Sequence, residues 1–102
     1  MTDDAGSAQA DVLAANAAFY EAVERGDIDA LEGLWVDDAA VCVHPGLAPI
    51  HGHKAVMRSW AAVLAATPYL QFVLTDVVAE THDGVPVVTC TENLLSAAAG
   101  MT

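Results

Sequence analysis

The groups in this sequence able to move a proton or hold a metal are few: histidines at 44, 51, 53 and 82, cysteines at 42 and 90, and carboxylates that interrupt apolar runs. His44 closes a β-prone run, Val41-Cys42-Val43, just before Pro45-Gly46. Imidazole has an ordinary pKa of about 6.5, so a histidine at a strand end accepts and returns a proton at neutral pH without a large perturbation. Asp76 and Glu92 are each the lone acid on an otherwise apolar strand face. Turned into a cavity, either would lose solvent, gain a raised pKa and become a usable acid. The plainer reading places each at a strand end or in water. His44, His51 and His53, with Cys42, also invite a metal, but they match no established zinc spacing and read more simply as turn and helix-entry residues. No metal and no cofactor is expected.

These groups need a scaffold, and the hydrophobic periodicity outlines one. Val12, Ala15, Phe19 and Val23 recur at spacings of three and four, which predicts a helix over Ala8 to Arg25, stopped by Gly26. Asp27 is the N-cap of a second, short helix through Ile28, Leu31, Leu34 and Trp35, and Asp27, Asp29 and Glu32 favour its positive end. Asp37-Asp38 ends it, a strand over Ala39 to His44 follows, and a loop leads to a third helix, His53 to Thr67, with Val56, Trp60, Val63 and Leu64 on one face. Tyr69 to Ala79 alternates as a strand, with Leu70, Phe72, Leu74, Asp76 and Val78 on one side. His82-Asp83-Gly84 is a hairpin turn into a returning strand, Val85 to Leu95, whose one face carries Val88, Cys90, Glu92 and Leu94. Helices preceding an antiparallel hairpin indicate an α+β fold.

Composition narrows the function. With 102 residues, 55% of them apolar, one domain with a modest core is the limit. Three basic against 14 acidic residues give a net charge of −11, and only Arg25, Lys54 and Arg58 could meet a phosphate, so neither nucleic acid nor an anionic membrane surface is a partner. No basic leader or long apolar span appears, and a cytoplasmic protein with reduced, buried cysteines is expected. Residues 1–7 read as a disordered lead, 8–95 as the domain and 96–102 as a flexible tail.

Several segments together resemble the SnoaL-like branch of the nuclear transport factor 2-like superfamily, which includes ketosteroid isomerases, polyketide cyclases and scytalone dehydratases. They are Phe19-Tyr20-Glu21-Ala22-Val23-Glu24-Arg25-Gly26-Asp27, Leu34-Trp35-Val36-Asp37-Asp38-Ala39, His44-Pro45-Gly46 with Ile50-His51-Gly52-His53, and Ser59-Trp60. The resemblance implies a cone: a strongly curved antiparallel sheet against three N-terminal helices, with an apolar pocket for a small, mostly hydrophobic molecule. It also implies a C-terminally shortened member, since the family continues for two more strands where this sequence runs through Ser96 to Thr102 without a β pattern. An unpaired apolar edge would follow, and a homodimer through the sheet is expected.

Carried onto this sequence, the isomerases' base falls at His44, whereas their tyrosine donor falls at Phe19, one residue from Tyr20. Their second acidic donor lies on a strand beyond the match, so an enolate would lack its stabilising donors and isomerase activity is not expected. Phe19 and Trp60 are the leading candidates for the pocket wall, joined by Trp35 and Phe72, with Tyr20 offering a polar tip at the entrance. Three functions follow. The first is a binding domain for a small hydrophobic ligand. The second is a cyclase, isomerase or dehydratase using His44 as general base, with Asp76 or Glu92 as acid. The third is a protein-interaction module working through the exposed sheet face.

Overall fold

The structure is a computed structural model that describes residues 4–36 and 39–97. Helix α1 runs over Asp4–Arg25, so residues 4–7, expected as a disordered lead, continue the helix, which the Ala-rich run favours. Residues 1–3 and 98–102 lie outside the described residues. At the end of α1, Gly26 takes φ +68° and the Asp27 amide donates to the Ala22 carbonyl at 2.9 Å, which turns the chain back on itself.

Asp27 caps α2, Ile28–Glu32, its Oδ1 accepting from the Ala30 amide at 3.1 Å. The helix stops at Gly33, so Leu34 and Trp35, expected within it, lie in the following turn; glycine is a poor helix continuer. The next strand is β1, Val41–Cys42, shorter than the Ala39 to His44 run expected. It pairs antiparallel with β2, Ile50–His51, inside the segment expected as loop. Helix α3 spans His53–Ala66.

Strands β3, Tyr69–His82, and β4, Val85–Ala97, form an antiparallel hairpin, and β4 includes Ser96 and Ala97 from the expected tail. Asp83 and Gly84 both have positive φ, +52° and +79°, the two-residue turn whose twist matches the strands. A bulge interrupts β3: Thr75 stands opposite Thr91 and Val78 opposite Thr89, so Asp76 and Val77 share Cys90 as partner. Asp76 takes φ +53° there. The inward set Leu70, Phe72 and Leu74 therefore shifts to Ala79 beyond the bulge, and Asp76 and Val78 turn to solvent, contrary to the unbroken alternation expected. The Glu24 carboxylate accepts from the Phe72 amide at 2.6 Å, which fastens α1 to β3 and occupies a backbone donor pointing away from β4.

The fold is α+β, with three helices and antiparallel strands as expected. Ala22, Val23 and Leu31 form one buried cluster, and Ala40, Cys42 and Val56 a second; Trp60 packs against both. Among the described residues no helix is long and apolar enough to cross a membrane. Leu31 is fully buried where α2 meets α1, so Leu31→Ala should destabilise the fold by about 2–5 kcal/mol in denaturant titration, from lost burial and the cavity left behind.

Candidate functional site

His44 lies two residues beyond β1, half-buried. Its Nε2 is 3.0 Å from Ser59 Oγ and 3.7 Å from Cys42 Sγ. Ser59, on α3, donates to the Val56 carbonyl at 2.7 Å, and the neighbouring Trp60 ring meets the imidazole edge-on at 5.0 Å. Burial pushes the Cys42 thiol up, against a smaller opposing pull from the Trp60 indole, so Cys42 stays a neutral thiol beside the imidazole.

The facing wall comes from α1 and β4. Tyr20 donates to Glu92 Oε2 at 2.6 Å and lies 3.9 Å from Cys90 Sγ. Burial, and then the bond to Glu92, hold the Tyr20 phenol well above its ordinary value of 10.0. Its ring meets Phe19 at 5.0 Å and Phe72 at 4.9 Å, while Phe19 meets Trp60 at 5.4 Å and Trp35 at 6.1 Å, all edge to face.

Between these walls lies a cavity of about 270 Å³ lined by Phe19, Tyr20, Trp35, Cys42, His44, Trp60, Phe72 and Glu92. A second cavity of about 420 Å³ shares His44, Trp60, Phe72 and Glu92 with it and extends over Leu47, Ile50, Val63, Leu70 and Leu94. A third, about 460 Å³ and more open, shares Phe19 and Trp35 and runs along Val12, Asn16 and Val88. The structure thus gathers His44, Glu92 and all five aromatic residues singled out in the sequence around one space. Asp76 is not among them: at the bulge it is exposed, accepting from Thr91 Oγ1 at 3.3 Å. That exposure removes the desolvation on which its use as an acid depended, and Glu92, although it lines the cavity, is exposed as well.

The tyrosine expectation also changes. Tyr20, not Phe19, brings a hydroxyl to the site, because adjacent residues of α1 both fall within the broad face covered by the hairpin. Ser59 was not singled out for a role; its signal was the three-residue spacing from Val56, which puts both on one face of α3. His51 is exposed on β2, and His53 bonds the Glu32 carbonyl at 3.0 Å, closing α2 against α3. Among the described residues no three of His, Cys, Asp and Glu are grouped as a metal would require. Both cysteines are free thiols, Cys42 buried and Cys90 half-buried.

Helices packed on antiparallel strands around a shared apolar space can now be set beside known proteins. The SnoaL-like domain family matches residues 12–102. The chain belongs to that family. A crystal structure of a candidate dehydratase of the NTF2-like family from Streptomyces avermitilis is 46% identical to this SnoaL-like domain, which covers 69% of it with 83% of its own length, at a TM-score of 0.77. A candidate aromatic ring hydroxylase from Novosphingobium aromaticivorans, 21% identical, superposes with a TM-score of 0.78 over 91% of this chain and 67% of that one, a likeness of fold alone. A candidate calcium/calmodulin-dependent protein kinase type II association domain from Thiobacillus denitrificans is 27% identical over 87% of this chain and 70% of that one, with a TM-score of 0.65. A search of curated protein sequences gives no match.

The raised Tyr20 pKa sets a linkage. The folded state keeps a proton that the unfolded chain loses near pH 10.0, so Tyr20 contributes stability that is present below that pH and lost as pH rises beyond it. Denaturation monitored across that range should show wild type losing stability faster than Tyr20→Phe; equal slopes would mean that the phenol is not held in this way.

Proposed function

We propose that this SnoaL-like domain binds a small, mostly hydrophobic, uncharged molecule in the space between α1, α3 and the inner face of the hairpin, and that His44 acts there as a general base in chemistry of the cyclase or dehydratase type. One observation carries the reading: His44, Tyr20 and Glu92 line a single cavity whose other walls are the rings of Phe19, Trp35, Trp60 and Phe72 and the apolar residues Val41, Val43 and Pro45 beside Cys42. Weak solvation inside such a space strengthens each polar contact, and a base must sit within hydrogen-bond reach of the proton it takes. The 46% identical relative described as a candidate dehydratase fits such proton chemistry.

The ligand's charge follows from what lines the space. Among the described residues no lysine or arginine lines any of the three cavities, and Glu92 lines two of them. Arg25 is turned to Asp27 at 3.5 Å on the surface. A carboxylate-bearing ligand would be desolvated beside a like charge with no cation to offset it. Naphthalene-sized aromatic probes should therefore bind with at least tenfold preference over their carboxylated analogues, and His44→Ala should abolish any turnover found while leaving the charge preference in place. Equal binding of the carboxylates, or turnover undiminished in His44→Ala, would refute the assignment.

A second reading, assembly through the sheet, draws on the outward face of the hairpin. Tyr69, Val73, Val85 and Leu95 are 50%, 55%, 58% and 60% exposed on that face. A second copy of the chain is the occupant we propose, in keeping with the likeness to a candidate association domain. Sedimentation should show a dimer that Val73→Glu with Leu95→Glu converts to monomer; a monomeric wild type removes this reading.

A further inference from the structure

The polar groups at the cavity differ in what they have left to offer, and that difference selects a ligand. Ser59 has one hydroxyl proton, given to the Val56 carbonyl at 2.7 Å. Its oxygen therefore meets His44 Nε2, 3.0 Å away, as an acceptor, and in the neutral ring Nε2 carries the hydrogen. The lone pair falls on Nδ1, which has no partner among the described residues. Across the cavity Tyr20 spends its proton on Glu92 Oε2, and the other carboxylate oxygen, Oε1, has no partner among the described residues. The indole nitrogens of Trp35 and Trp60 are fully buried and do not open onto the cavity. The thiol of Cys42 lies against His44 and that of Cys90 against Tyr20, and a thiol is a weak donor.

Every strong side-chain donor of the cavity's lining residues is thus either committed within the protein or buried away from the space, while acceptors remain on both walls. We infer that the site selects ligands by hydrogen-bond donation: its ligand is an aromatic or alicyclic molecule bearing hydroxyl groups, which donate to His44 Nδ1 and Glu92, and a ligand offering only carbonyl or ether oxygens is rejected because it finds no donor. Ser59 is the positioning residue in this arrangement, fixing the His44 tautomer through Nε2. This inference rests on the binding reading above and narrows it to a chemical class. The contiguous cavity over Leu70 and Leu94 receives the apolar body of the molecule.

The test compares β-naphthol, naphthalene and the methyl ether of β-naphthol by calorimetry at about pH 8, where an ordinary imidazole is neutral. β-Naphthol should bind about five- to tenfold more tightly than either of the others, the worth of one net hydrogen bond. Glu92→Gln, which adds an amide donor, should improve binding of the ether relative to β-naphthol. Nitrogen-15 spectra of the wild type should show His44 Nδ1 as the unprotonated nitrogen; Ser59→Ala should mix the two tautomers, and Ser59→Thr should restore the single one. Binding of the ether or naphthalene as tightly as β-naphthol refutes donor selection while leaving the binding reading intact, and failure of all three probes to bind overturns both. A wild-type spectrum with Nε2 unprotonated, or an unchanged tautomer in Ser59→Ala, refutes the role of Ser59.

Discussion

Trp60 is the joint on which both halves of the interior close. It packs against the Ala22–Val23–Leu31 cluster on one side and the Ala40–Cys42–Val56 cluster on the other, and so ties the α1–α2 pair to the β1–β2 ribbon. The same ring meets Phe19 at 5.4 Å and His44 at 5.0 Å. The core and the candidate site therefore share a residue, and neither can be repacked without moving the other.

Much of this scaffold was legible in the sequence. The three- and four-residue spacings of α1 and α3, the Asp27 cap and the Asp83-Gly84 turn each have a local physical cause, and each appears in the structure. The bulge was not legible. Alternation along β3 continues through Asp76 as if the strand were regular, and the positive φ that lets Asp76 and Val77 face one partner is a conformation aspartate tolerates without announcing it. Glu92 escaped that error because β4 carries no extra residue and stays in phase with Cys90 and Leu94. The two acids looked equivalent along the chain, and both are exposed, yet Glu92 lines the chamber while Asp76 bonds Thr91 away from it.

Contacts between distant parts of the chain were hidden for a different reason. Tyr20 and Glu92 lie 72 positions apart, and only the placement of the hairpin on α1 brings them to 2.6 Å. The family resemblance implies Phe19 as the tyrosine's counterpart, while in the structure Phe19 and Tyr20 both line the space and Tyr20 alone brings it a hydroxyl. β2 is two residues long, too short for a pattern, and exists through its pairing with β1.

The site is assembled from two hydrogen-bonded sets that come from separate regions. One is the His44–Ser59–Val56 chain, just beyond β1 and on α3; the other is Tyr20–Glu92 on α1 and β4. Each set satisfies its own donors, so either can stand without the other, and chemistry needs both only because they face each other. What holds them face to face is the ring contact between Phe19 of α1 and Trp60 of α3, since the charged residues that give the chain its net −11 leave Glu92 as the one charge on the space itself. Dispersion and shape, rather than ion pairing, therefore set the distance across which a proton would be moved. An apolar gap of this kind leaves an entering molecule to supply the polar link between the two walls, which makes the ligand part of the hydrogen-bonded network rather than a guest beside it.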